Sequence, residues 1–138
     1  MAVCALVLVS LASVAAVRLS GTSIQEPDAS TVAKRSLRFE DRPDGSIAVL
    51  DARSGIVLES VQGESGFIRG TLRALARERR KHGLGNEPPF ELLGRADGRL
   101  TLSDPATGMR IDLESFGPTN AGAFARLMNA QPAPVTGR

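Results

Sequence analysis

Beyond its first nineteen residues the chain runs in short apolar–polar alternations separated by turn-forming clusters. Leu37-Arg-Phe-Glu-Asp41 alternates apolar and charged side chains, the period of a strand with one buried face. Pro43-Asp44-Gly45 turns the chain, because Pro presets its φ and Gly accepts a positive one. Ser46 to Ala52 is then a second strand with Ile47 and Val49 on one face, Arg53-Ser54-Gly55 a second turn, and Ile56 to Val61 a third strand. There the period changes from two to 3.6. Ile68, Leu72, Leu75 and Ala76 share one side of a helix predicted from Phe67 to about His82, with Gly83 as its stop.

The plan then recurs. Phe90-Glu-Leu-Leu93 leads to the Asp97-Gly98 turn, Leu100 and Leu102 point inward from the next strand, and Pro105-Ala-Thr-Gly108 turns again. Met109, Ile111 and Leu113 share a face of the third strand. A second helix, predicted to start at Thr119 or Asn120 with Asn120 as its cap, carries Phe124, Leu127 and Met128. Asp44-Gly45, Asp51 and Gly55 reappear as Asp97-Gly98, Asp104 and Gly108, each 53 residues later. Self-similarity at a fixed spacing marks a repeated unit. Short loops favour antiparallel neighbours, so the expected fold is α+β: a duplicated β-β-β-α module, mainly antiparallel, with a pseudo-twofold relation between its halves.

The start of the chain follows another rule. Met1 to Val17 carries no charged side chain and Arg18 closes the run. As a helix it reaches about 26 Å at ~1.5 Å per residue, slightly short of a ~30 Å hydrocarbon core. Leu19 and a snorkelling Arg18 make up part of the deficit. A cleaved signal peptide competes, with Ser13-Val14-Ala15 or Val14-Ala15-Ala16 as its cleavage site, but it lacks a basic n-region. A single transmembrane anchor is the reading taken here, with a short cytoplasmic tail expected ahead of Met1. The Ser-, Thr- and Pro-rich stretch that follows is a linker. The expected organisation is an anchor over 1–19, a linker over 20–36, the duplicated domain over 37–130 and a flexible tail over 131–138.

Composition narrows the function classes. The chain has 138 residues, no Trp, no Tyr and five Phe, of which Phe67, Phe90, Phe116 and Phe124 are expected core anchors. Its one cysteine, Cys4, excludes an intrachain disulfide and a cysteine metal cluster. Net charge is only +2, yet Arg69 to Lys81 alone holds six basic residues against Glu78, a local +5. A basic face on a near-neutral protein points to an anionic surface or acidic partner; aromatics for base stacking are missing, so no nucleic-acid role is expected.

Arg69, Arg73, Arg77 and Arg80 follow helical spacing and form one stripe beside the apolar face. A solvated helix face is the plain explanation, but like charges at that spacing repel, and acidic side chains or anionic lipid headgroups would offset the cost. Asp41, Asp44 and Asp51 do not match a calcium loop and are explained by turns. His82 at a basic helix end is expected to meet exposed carbonyls, and no nucleophile elbow or phosphate loop is present, so neither catalysis, nor a cofactor, nor a metal is expected. Phe116-Gly-Pro118-Thr-Asn120 leads into the second helix as Gly63-Glu-Ser-Gly-Phe67 leads into the first, and the two are expected to pair at one end of the domain.

Four stretches, taken in order, resemble one family. They are Leu37 to Gly45, Gly66-Phe-Ile-Arg-Gly-Thr-Leu-Arg73 with Arg77-Glu-Arg79, Asp97-Gly-Arg-Leu-Thr-Leu-Ser-Asp104, and Thr107 to Asn120. Over roughly Leu37 to Met128 the chain is similar to the PuhC family of photosynthetic complex assembly proteins of purple bacteria. The resemblance implies a single-pass protein of the photosynthetic inner membrane with its globular part in the periplasm. It also implies a non-enzymatic role in assembling or organising the reaction centre with the core light-harvesting antenna. The partner-binding residues expected are Phe67, Arg69, Arg73, Arg77, Arg80, Phe116, Pro118 and Asn120. The partners are reaction-centre and core light-harvesting polypeptides, with anionic lipid headgroups as a further possibility. A membrane-anchored lipid or small-molecule binding module is the rival; an enzyme would need Asp41, Asp44 and Asp97 gathered around His82.

Overall fold

The computed structural model describes residues 28–62 and 66–131. The expected anchor, the first part of the linker, the lead-in residues 63–65 and the tail from 132 lie outside the described residues. Among the described residues no helix is long and apolar enough to cross a membrane.

Six strands form one sheet: β1 (Thr31–Asp41), β2 (Ile47–Asp51), β3 (Val57–Val61), β4 (Phe90–Arg95), β5 (Leu100–Asp104) and β6 (Met109–Asp112). Their order across the sheet is β3-β2-β1-β4-β5-β6, and every neighbouring pair is antiparallel. Helix α1 (Gly66–Lys81) follows the first three strands; a 3-10 turn (Leu113–Phe116) and helix α2 (Pro118–Asn129) follow the second three. The fold is thus α+β, with two three-stranded meanders meeting at the β1–β4 pair.

The two meanders share hydrogen-bond chemistry. Asp44 accepts the Ser46 amide at 2.9 Å and Asp97 the Arg99 amide at 3.1 Å. Gly45 and Gly98 then close these turns at φ 82° and 85°, a region that costs a residue with a Cβ about 1–2 kcal/mol. At the next turns the amides of Gly55 and Gly108 donate to the carbonyls of Asp51 and Asp104, each at 2.8 Å. Register repeats as well: Phe39 faces Val49, and Leu92 faces Leu102. At the centre of the sheet Leu37 faces Phe90, the residue 53 positions later.

Strand alternation sends Leu37, Ile47, Val49, Leu92 and Leu102 to one face, where they join Ile68 and Leu75 of α1 and Phe124 and Leu127 of α2 in a single apolar core. Both helices therefore cover the same face. At about 25 cal/mol per Å² of apolar surface, each of these buried side chains contributes roughly 1.5–3 kcal/mol.

Several expectations are corrected. β1 begins at Thr31, so the linker expected up to residue 36 ends earlier; Thr31 to Ser36 lacks a clean apolar period and is held as a strand by pairing with β4. Leu113 leaves β6 for the 3-10 turn yet stays fully buried. Helix α2 starts at Pro118, whose missing N–H costs nothing in a first turn, with Gly117 rather than Asn120 at the N-cap. Asn120 instead donates from Nδ2 to the Phe116 carbonyl at 2.7 Å. Phe116, expected in the core, is 51% exposed.

Candidate functional site

The apolar face of α1 carries Ile68, Thr71 and Leu75, and the same helical stripe continues to Arg79. This arginine is 2% exposed. It donates from Nε to Asp104 Oδ2 at 2.7 Å and from Nη2 to Asp104 Oδ1 at 2.8 Å, a two-pronged pair closed to water. Its guanidinium carbon also lies 3.7 Å from the centre of the Phe90 ring. Burial pushes the Asp104 carboxyl up, but the Arg79 hydrogen bond, the Ala106 amide and the Arg79 charge together hold it below the ordinary range.

With Arg79 neutralised, the positive charge that reaches solvent comes from its neighbours. Arg73, Arg77 and Arg80 are exposed, and none of them makes an ion pair among the described residues. Glu78, the local acid, is taken by Lys81 at 2.9 Å and His82 at 3.4 Å. His82 thus faces a carboxylate and not the helix-end carbonyls expected of it. Arg69 is half-buried and reaches across to the β1–β2 turn, donating from Nη2 to the Gly45 carbonyl. Its Nε–H is buried with no acceptor among the described residues.

Between α1, the ends of β1 and β2, and the Leu84-Gly85-Asn86 connector lies a cleft of about 400 Å³. Phe39, Ile47, Leu72 and Phe90 provide its apolar walls, and Arg69, Arg73 and Arg80 its cationic rim, with Asp41 opposite. The Phe39 and Phe90 rings form a tilted pair, 5.6 Å between centres with planes inclined by 59°. Three of the four arginines expected in one stripe therefore border one cavity, while Arg77 lies outside its lining.

At the other end of α1, Phe67 packs on Phe116 with ring centres 5.0 Å apart and on Phe124 at 6.1 Å. The starts of the two helices are thus brought together through their aromatic side chains. Pro118 and Asn120 sit in the first turn of α2 beside them.

Sequence reasoning missed Arg79 and Asp104. Both carried a signal: Arg79 falls four residues after Leu75 on the apolar stripe, and Asp104 two residues after Leu102 on the inward face of β5. A charge at a core position of each element marks a pair that the fold must join. Asp51, 53 residues before Asp104, has its own arginine: Arg35 Nε donates to its Oδ2 at 3.3 Å. Arg35 Nη1 also donates to the carbonyls of Leu127 and Met128, both at 3.1 Å, and of Ala130, closing the C-terminal end of α2.

Along α1 and its cleft, cationic donors thus lie beside apolar side chains. No solved structure matches the chain. A protein of Rhodobacter capsulatus described as a 17.4 kDa protein of the puhA 5′ region is 30% identical over 98 residues, covering 71% of this chain and 59% of that protein. The chain therefore spans less than two thirds of the length of this relative. Residues 32–131 match the family described as photosynthetic complex reorganisation protein PuhC, a span that takes in β1 from its second residue, the other five strands and both helices. The chain belongs to the PuhC family of photosynthetic complex reorganisation proteins.

Proposed function

We propose that this protein is a non-enzymatic organiser of photosynthetic membrane complexes, one that holds or guides reaction-centre and core light-harvesting polypeptides during their assembly or rearrangement. Residues 1–19 anchor it as a single pass in the inner membrane, and the six-stranded domain works on the periplasmic side. We further read the domain as a duplicated β-β-β-α module; the shared turn hydrogen bonds and the facing of Leu37 with Phe90 support that reading.

The observation that carries the functional reading is family membership joined to a helix whose Arg73, Arg77 and Arg80 face solvent without ion pairs among the described residues. Like charges held side by side repel, and an acidic partner polypeptide relieves that repulsion. The paired Phe67 and Phe116, the latter half exposed, add an apolar contact at the other end of the helix.

The test is an affinity pull-down of the tagged protein from gently solubilised photosynthetic membranes, with eluted proteins and pigments identified. Antenna or reaction-centre polypeptides are expected with the native chain and depleted with an Arg73→Glu/Arg77→Glu/Arg80→Glu variant. Clean recovery of the native chain without them would sink the reading. Protease protection in sealed vesicles reads the orientation: a domain digested only when the periplasmic side is accessible agrees with the placement. One observation favours a second reading, a lipid or small-molecule binding module: the cleft of about 400 Å³ falls within the roughly 300–1,000 Å³ of ligand sites.

A further inference from the structure

The cleft beside α1 has more specific chemistry than a basic patch. Its apolar lining is aromatic and aliphatic, built on the tilted Phe39–Phe90 pair and Leu72. Its rim is cationic apart from Asp41, and Arg79, which also lines it, is neutralised by Asp104. Arg69 borders it with a buried Nε–H that has no acceptor among the described residues, an unfavourable state for a donor. Turned outward, this donor would meet an acidic oxygen in the cleft.

We propose that this cleft receives an acidic segment of a partner protein, with one large apolar side chain seated on the apolar lining and flanking carboxylates on Arg69, Arg73 and Arg80. The proposal rests on the reading of the domain as a docking module and names the kind of segment it takes. Two dimensions favour a polypeptide over a lipid. Arg69 to Arg80 extends about 16 Å along the helix at ~1.5 Å per residue, a span that successive side chains cover and one headgroup does not. The cavity, about 400 Å³, stands near the small end of the ligand-site range and suits a side-chain anchor better than a two-chain lipid. The arrangement of a buried apolar anchor ringed by charge is how a small part of an interface comes to hold most of its affinity.

The experiment is fluorescence anisotropy with the full chain in a nonionic detergent. The probe is a short fluorescein-labelled peptide with glutamates on both sides of a central tryptophan. Control peptides carry glutamine for glutamate or alanine for tryptophan. Ala76→Trp fills the cleft from an exposed helix position without changing charge, and Arg73→Glu/Arg80→Glu reverses the rim. The native chain is expected to bind the probe, with each control peptide and each variant weaker by about tenfold or more and melting temperatures unchanged. Equal binding of the tryptophan and alanine peptides, or full binding by Ala76→Trp, would overturn the proposal. So would uptake of monomeric dodecyl phosphate, lost in Ala76→Trp, in a chain that ignores the peptide; the cleft would then belong to a lipid. The pull-down separates the two readings. Ala76→Trp that loses the peptide but retains its photosynthetic polypeptides overturns the cleft as the docking point and leaves the organising role standing. Peptide binding as described with an empty native pull-down supports the cleft chemistry and removes the photosynthetic assignment.

Discussion

The Arg79 guanidinium meets the Asp104 carboxylate through two hydrogen bonds, at 2.7 and 2.8 Å, with Arg79 2% exposed and Asp104 fully buried. The pair joins the last turns of α1 to the end of β5, so an element of the first meander is tied to a strand of the second. Such a pair is costly to break and cheap to replace. Asp104→Asn or Arg79→Met, each leaving one buried group uncompensated, is expected to cost about 3–5 kcal/mol. Arg79→Met combined with Asp104→Leu should cost much less than the two single losses together. Urea unfolding of the three variants checks this, and strict additivity would contradict it.

The same pair sets the acid limb of stability. In the folded protein the Asp104 carboxyl is held below its ordinary value; burial raises it, and the Arg79 bond and charge with the Ala106 amide more than compensate. Asp51 is lowered as well, chiefly by the Ser54 amide, against a smaller opposing effect of burial. A folded pKa below the unfolded one means that the contribution is full above the unfolded value of about 4 and is lost as pH falls through the folded value. The urea midpoint should stay level through the mildly acidic range and drop below about pH 4. The drop should be shallower in the Arg79→Met/Asp104→Leu variant.

The two halves hold each other's helices. Arg79 of α1 reaches Asp104 in the second meander, while Arg35 joins Asp51 in the first meander to the C-terminal carbonyls of α2. With β1 and β4 paired along the middle of the sheet, the two halves share one core. Peptides covering residues 28–85 and 86–131 are expected to show little helix or sheet by circular dichroism when separate. Mixing them should restore native-like structure. A folded single half would refute this interlock.

Charge reversal on the exposed ridge should separate stability from function. Arg73, Arg77 and Arg80 are exposed, and surface substitutions of this kind usually shift stability by no more than ~0.5 kcal/mol. Here reversal also removes like-charge repulsion along the helix. Arg73→Glu/Arg77→Glu/Arg80→Glu is therefore expected to melt at or slightly above the native temperature while the yield of core photosynthetic complex falls several-fold. Normal yield at normal expression would remove the ridge from the mechanism.

Local patterns determined a good deal by themselves. The period of two in Leu37-Arg-Phe-Glu-Asp41, the Asp-Gly turns and the change to a helical period after Val61 placed six strands and two helices, because these signals lie within a few residues of one another. The spacing of 53 residues also anticipated the two meanders. Where the pattern was silent, distant partners decided. Thr31 to Ser36 has no apolar period and becomes strand because β4 supplies its backbone hydrogen bonds. Phe116 has the composition of a core residue, but its place at the end of the 3-10 turn leaves half its surface in water, against Phe67.

The candidate site divides along the same line. Helical spacing alone determined that α1 would present arginines beside an apolar stripe, since that follows from 3.6 residues per turn. Which of them would face outward was a tertiary matter. Arg79 is buried because Asp104, 25 residues on in the chain, arrives beneath it from β5 and offsets the cost of desolvation. Arg69, Arg73 and Arg80 border a cleft only because the turn at Gly45, the Phe39–Phe90 pair and the Leu84-Gly85-Asn86 connector converge there. Periodicity is a property of neighbours in sequence; a cavity is made by groups far apart in the chain, and only their packing creates it.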